Sequence, residues 1–86
     1  MKISNMALGS WGNVKALFTV ELDGIWIKGF KVIESNGELW VGFPSRKKGD
    51  EYEDTILMNK ERKTELTDLA IPDYNKQYEN KDYHIR

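Results

Sequence analysis

The sequence predicts an α+β domain: a small antiparallel β-meander of about five strands with one C-terminal helix, dimerised through its strands. Three observations carry this prediction. Apolar and polar residues alternate through the first two-thirds of the chain, Asp23-Gly24 and Asn36-Gly37 stand where the alternation breaks, and one helix-like segment follows Asn59. At 86 residues the chain can bury one core and not two. Its 40% hydrophobic and 31% charged content is ordinary for a globular protein and disfavours wholesale disorder. Apolar burial, at roughly 25 cal/mol per Å², barely exceeds the ordering entropy in so small a chain, so a second subunit is a natural source of stability.

Lys2 to Leu8 reads as an opening strand, followed by a flexible turn around Gly9, Ser10, Gly12 and Asn13. Val14, Ala16, Phe18, Val20 and Leu22 then share one side of a period-2 pattern, with Lys15, Thr19 and Glu21 opposite, as in a half-buried strand. Asp23-Gly24 tolerates the positive φ angles of a two-residue hairpin loop, Ile25 to Ser35 is a second extended run, and Asn36-Gly37 leads to a third at Glu38 to Phe43. Two-residue loops fix the register: Leu22 faces Ile25, Val20 faces Ile27, Val32 faces Val41, Phe30 faces Phe43, and Ile33 faces Trp40. The two hairpins then disagree about the inside, because Ile25, Ile27 and Ile33 have the opposite parity to Phe30 and Val32. Either a bulge near Gly29 resolves the conflict, or the strand is covered on both faces by a partner subunit.

Pro44 to Glu51 reads as a polar loop carrying Arg46, Lys47 and Lys48, and Tyr52 to Leu57 as a short strand. Asn59 is placed to cap a helix running to about Ala70, whose apolar stripe is Leu66, Leu69 and Ala70. Ile71-Pro72 ends that helix, which divides the chain into a domain at 1–70 and a polar tail at 71–86.

Composition narrows the function classes. Cysteine is absent, so disulfides and thiolate metal sites are excluded and a reducing compartment suits the chain. With no signal-like run and no membrane span, the expectation is a cytoplasmic protein. The single histidine, His84, allows no histidine-centred triad and no multi-histidine metal site within one chain. No acid/base spacing or glycine-rich phosphate loop is present, so no enzyme activity, metal or cofactor is expected. A net charge of −1 leaves any polyanion site to a local patch.

The segment FKVIESNGELWVGFPSRKK, Phe30 to Lys48, with LDGIWIKG before it and EYEDTI after it, resembles the SpoVG family of septation and sporulation regulators. The matching residues are Val32, Ile33, Glu34, Gly37, Leu39, Trp40, Val41, Pro44, Ser45, Arg46, Lys47 and Asp54. The resemblance extends over about residues 1 to 70 and is most specific at 25 to 54. It implies a dimer of small antiparallel sheets that binds DNA or RNA with regulatory consequences, and it implies no catalysis. The family's basic segment after Pro-Ser falls on Arg46 and Lys47, with Lys48 as a neighbour. Met58 stands where members commonly have proline, and Trp26 and Trp40 are heavier than usual.

Taken from charge alone, Arg46-Lys47-Lys48 is more often a solvated loop than a phosphate site. The resemblance tips the balance toward phosphate contacts, which position a nucleic acid without reading its sequence. Six cations in a dimer would give a log affinity against log salt slope near −5 on duplex, at about 0.9 per phosphate. Asp50, Glu51, Glu53 and Asp54 oppose it. Ile33, Trp40 and Trp26 are expected at a dimer seam; plain core packing and a stacking platform for bases are the alternatives. The competing function is a protein-binding inhibitor or adaptor with the same dimeric fold and no nucleic-acid role.

Overall fold

The computed structural model describes the backbone of residues 1–84 and the side chains of residues 1–79; the histidine of the sequence reading, at position 84, has its side chain outside that set. The fold is α+β. Strands β1 (Lys2–Trp11), β2 (Val14–Leu22), β3 (Ile25–Ser35) and β4 (Glu38–Gly42) form one antiparallel sheet in sequence order. Strands β5 (Ser45–Lys48) and β6 (Glu51–Asp54) form a separate two-stranded ribbon, and α1 (Lys60–His84) crosses the sheet. Asp23 and Gly24 have φ of 52° and 78°, and Asn36 and Gly37 have 54° and 80°, the paired left-handed residues of a type I′ hairpin turn.

The register predicted from the loops is present: Leu22 pairs with Ile25, Val20 with Ile27, Val32 with Val41 and Ile33 with Trp40. The parity conflict is resolved at Gly29, which has a φ of 98°. There the β2–β3 ladder shifts between Phe18–Phe30 and Val20–Ile27. This bulge turns Ile27 toward the core beside Phe30 and puts Trp26 on the same outer face as Ile33.

The helix-facing side of the sheet buries Ala16, Phe18, Val20, Phe30 and Val32 against Leu66, Ala70 and Tyr74. Phe30 is stacked on Phe18 at 5.7 Å and tilted against Phe43 at 5.2 Å, distances at which aromatic pairs attract beyond simple burial. Asn59 caps α1 as expected: the Arg62 backbone N–H donates to Asn59 Oδ1 at 2.9 Å.

Four sequence expectations are corrected. The helix does not stop at Ile71-Pro72 but continues to His84 with Pro72 inside it. An interior proline costs about 3 kcal/mol, and burial of Tyr74 in the core, two residues further on, offsets this. The buried stripe is Leu66, Ala70 and Tyr74 at i, i+4 and i+8, whereas Leu69 is exposed. The first strand runs past Leu8 to Trp11, and the turn is confined to Gly12 and Asn13. Finally, the polar loop after Pro44 is itself a strand, and the strand expected at Tyr52 to Leu57 is Glu51–Asp54.

Candidate nucleic-acid interface

The basic segment lies on the β5–β6 ribbon, whose base is clasped at both ends. The backbone N–H and the hydroxyl of Thr55 both donate to the carbonyl of Pro44, at 2.9 and 3.1 Å. Pro44 in turn packs over Gly29, where its side chain lies 3.5 Å from the position a Cβ would take. The bulge that sets the core register thus also seats the start of the ribbon. Gly49, with φ of 64°, is the first residue of the tight turn at the tip.

Antiparallel register divides the ribbon's side chains between two faces. Ser45 pairs with Asp54, Arg46 with Glu53, Lys47 with Tyr52 and Lys48 with Glu51. Since successive residues point to opposite sides, Arg46, Lys48, Glu51 and Glu53 share one face, and Ser45, Lys47, Tyr52 and Asp54 the other. On the first face Glu53 holds both cations, with Oε2 3.9 Å from Arg46 Nη2 and 3.7 Å from Lys48 Nζ. All three side chains are at least half exposed, so each pair contributes about 0–1 kcal/mol. On the second face Lys47 has no ion pair among the described residues, and Tyr52 is 73% exposed. Of the three expected site residues, the structure brings Arg46 and Lys48 together on one face and turns Lys47 to the other.

The outer face of the main sheet, turned away from α1, carries the other expected cluster. Ile33 and Trp40 are direct cross-strand neighbours. Ile33 lies across the glycine at position 42, whose added Cβ would meet Ile33 Cδ1 at 2.6 Å. Trp40 is 55% and Trp26 61% exposed; Trp26 stands seven residues from Ile33 along β3, roughly 23 Å at 3.3 Å per residue. The sequence reading missed Trp11 by leaving it in a flexible turn. In the structure Trp11 pairs with Val14, Val14 with Ile33, and Ile33 with Trp40; the ladder shifts between Val14 and Ala16, so Val14 leaves the side that it was expected to share with Ala16 and Phe18. One apolar row thus crosses all four strands with a tryptophan at each edge. Alternation carried back from Val14 through Gly12-Asn13 would have been the signal for it.

Further along α1, the Tyr74 ring lies tilted against Tyr78, with centroids 6.1 Å apart. Burial raises the Tyr74 pKa, with smaller contributions from Tyr78 and Glu34. Among the described residues no group of three His, Cys, Asp or Glu could hold a metal ion, and no helix is long and apolar enough to cross a membrane.

These features define a class: a small α+β domain with a four-stranded antiparallel meander, a single packed helix, and a separate cation-bearing ribbon beyond the meander. The chain belongs to the SpoVG family, whose sequence model matches residues 1–76. It is similar to a protein of Archaeoglobus fulgidus named "Putative septation protein SpoVG", with 33% identity over 69 residues, covering 77% of this chain and 81% of the relative. No solved structure matches the chain. The family match runs past the expected boundary at residue 70 and takes in Tyr74.

Proposed function

We propose that this protein is a homodimeric regulator that binds DNA or RNA through Arg46, Lys47 and Lys48. The observation that carries this reading is the exposure of all three cations on a ribbon outside the hydrophobic core. Lysine and arginine so placed can reach phosphate oxygens and release condensed counterions, which supplies affinity without base recognition. Two copies meet over the outer sheet face, with Ile33, Trp40 and Trp26 at the seam. An exposed apolar row such as the one from Trp11 to Trp40 on a small domain marks an interaction site, and its burial would supplement a core of eight among the described residues. The name of the archaeal relative suggests septation as the regulated process.

A second reading, a protein-binding inhibitor or adaptor, is favoured by the acidity of the same ribbon. Asp50, Glu51, Glu53 and Asp54 outnumber the three cations, so the ribbon's long-range field does not attract a polyanion. The two readings separate in one experiment. Replacing Arg46, Lys47 and Lys48 together with Ala is expected to weaken binding of labelled oligonucleotides, single- and double-stranded, while the dimer mass and the thermal unfolding midpoint stay put. Unchanged affinity in the triple variant removes the phosphate mechanism.

A further inference from the structure

The division of the ribbon into two faces has a consequence for the form of nucleic acid it can hold. A duplex offers a ribbon its phosphate backbones and the edges of paired bases, whereas stacking on a protein ring needs an unpaired base. One face of this ribbon carries Glu51 and Glu53 beside Arg46 and Lys48, and those carboxylates oppose phosphates on that side. The opposite face offers Lys47, without an ion pair among the described residues, directly across from a largely exposed aromatic ring at Tyr52.

From this juxtaposition we infer that the ligand is single-stranded nucleic acid, with an unpaired base stacked on Tyr52 and an adjoining phosphate on Lys47. Directly paired residues on antiparallel strands hold their Cβ atoms about 4.5–5.5 Å apart, so a lysine and a tyrosine there can engage one nucleotide together. Tyr52 makes no aromatic pair and no side-chain hydrogen bond with the described residues, leaving its ring available. Stacking is open to every base because each has a π-face, so this contact selects for unpaired strands and not for a sequence. Asp54, on the same face, pairs with Ser45 at the ribbon base, one step from Tyr52 on that side, which directs the strand toward the tip.

The inference rests on the proposed nucleic-acid role, and the test distinguishes the two. A labelled mixed-sequence single strand and its duplex are titrated, at equal salt, against the full chain and its Tyr52→Ala, Tyr52→Leu and Tyr52→Phe variants. Leucine keeps apolar bulk in the ribbon but has no π-face, so it separates stacking from ribbon stability. The expected result is tighter binding of the single strand than of the duplex, a loss of about 5–150-fold with Ala or Leu, and retention with Phe. The salt dependence should be the same in all four proteins. Binding of duplex as tight as single strand, or single-strand affinity that survives Tyr52→Leu, overturns the inference and leaves the proposed function standing. Absence of binding to either form at low salt overturns both.

Discussion

Glu53 is the residue at which the ribbon's electrostatics can be most sharply perturbed. One carboxylate oxygen lies within 4 Å of both Arg46 and Lys48, so it occupies the place a phosphate oxygen would take. Two unit charges about 4 Å apart in water attract by about 1 kcal/mol, and exposed pairs of this kind measure about 0–1 kcal/mol. Replacing Glu53 with Gln keeps the side chain's size and removes the competing charge. With each freed cation worth about 0.5–1 kcal/mol, a protomer gains about 1–2 kcal/mol toward a polyanion, a roughly 5–30-fold rise in affinity. The salt dependence carries more information. If only Lys47 is available in each protomer, a dimer neutralises two phosphates, and its slope on single strands is about −1.5; with all six cations available it is about −4. Glu53→Gln should therefore steepen the slope toward −4 in a fluorescence-anisotropy titration over several salt concentrations. Stability should change by no more than about 0.5 kcal/mol. An unchanged affinity and slope would refute the reasoning, since the freed cations would then have no phosphate to meet.

Three other perturbations address the core, the seam and the helix end. Leu66 is fully buried between helix and sheet, so Leu66→Ala should cost about 2–5 kcal/mol and lower the thermal midpoint by roughly 10–30 °C, read by circular dichroism. Trp40→Glu places a carboxylate within the proposed seam and should raise the dimer dissociation constant at least about 30-fold, seen as a monomer mass by light scattering. Burial raises the Tyr74 pKa above its ordinary value of 10.0, so the folded state favours the neutral phenol. The associated stability is complete below about pH 10 and is lost as pH climbs from there through the folded-state pKa. Denaturant titrations should show a steeper alkaline decline for the parent protein than for Tyr74→Phe.

The sequence revealed the sheet more fully than the helix or the ribbon, for physical reasons that differ by element. Asp23-Gly24 and Asn36-Gly37 are strong hairpin signals because their backbones tolerate positive φ, and with two-residue loops they set a register that the structure reproduces at Leu22–Ile25, Val20–Ile27, Val32–Val41 and Ile33–Trp40, while Phe43 lies just beyond the ladder. The clash of parities between Ile27 and Phe30 leaves a bulge near Gly29 or a strand covered on both faces, and the positive φ of Gly29 with the ladder shift beside it shows the bulge. By contrast, Pro72 is a local stop signal, and its local cost is overridden by packing of Tyr74 that only the tertiary fold supplies. Strand β5 was hidden by its composition, since Ser-Arg-Lys-Lys has no apolar alternation. Gly49-Asp50 between two short runs was its one legible signal. The site divides in the same way. Ile33 and Trp40 could be paired from the loop length, and the bulge places Trp26 on their side of the sheet, whereas the separation of Lys47 from Arg46 and Lys48 follows from a pairing that becomes visible only once the ribbon is known.

The central claim is that cations on this ribbon neutralise nucleic-acid phosphates, and the salt dependence of oligonucleotide binding by the unmodified chain tests it most directly. With dimer mass monitored alongside, the account predicts binding at about 50 mM salt that weakens through about 200 mM, with a log–log slope between about −1.5 and −4 on single strands. A slope near zero, or no binding at the lower salt by an intact dimer, would contradict it.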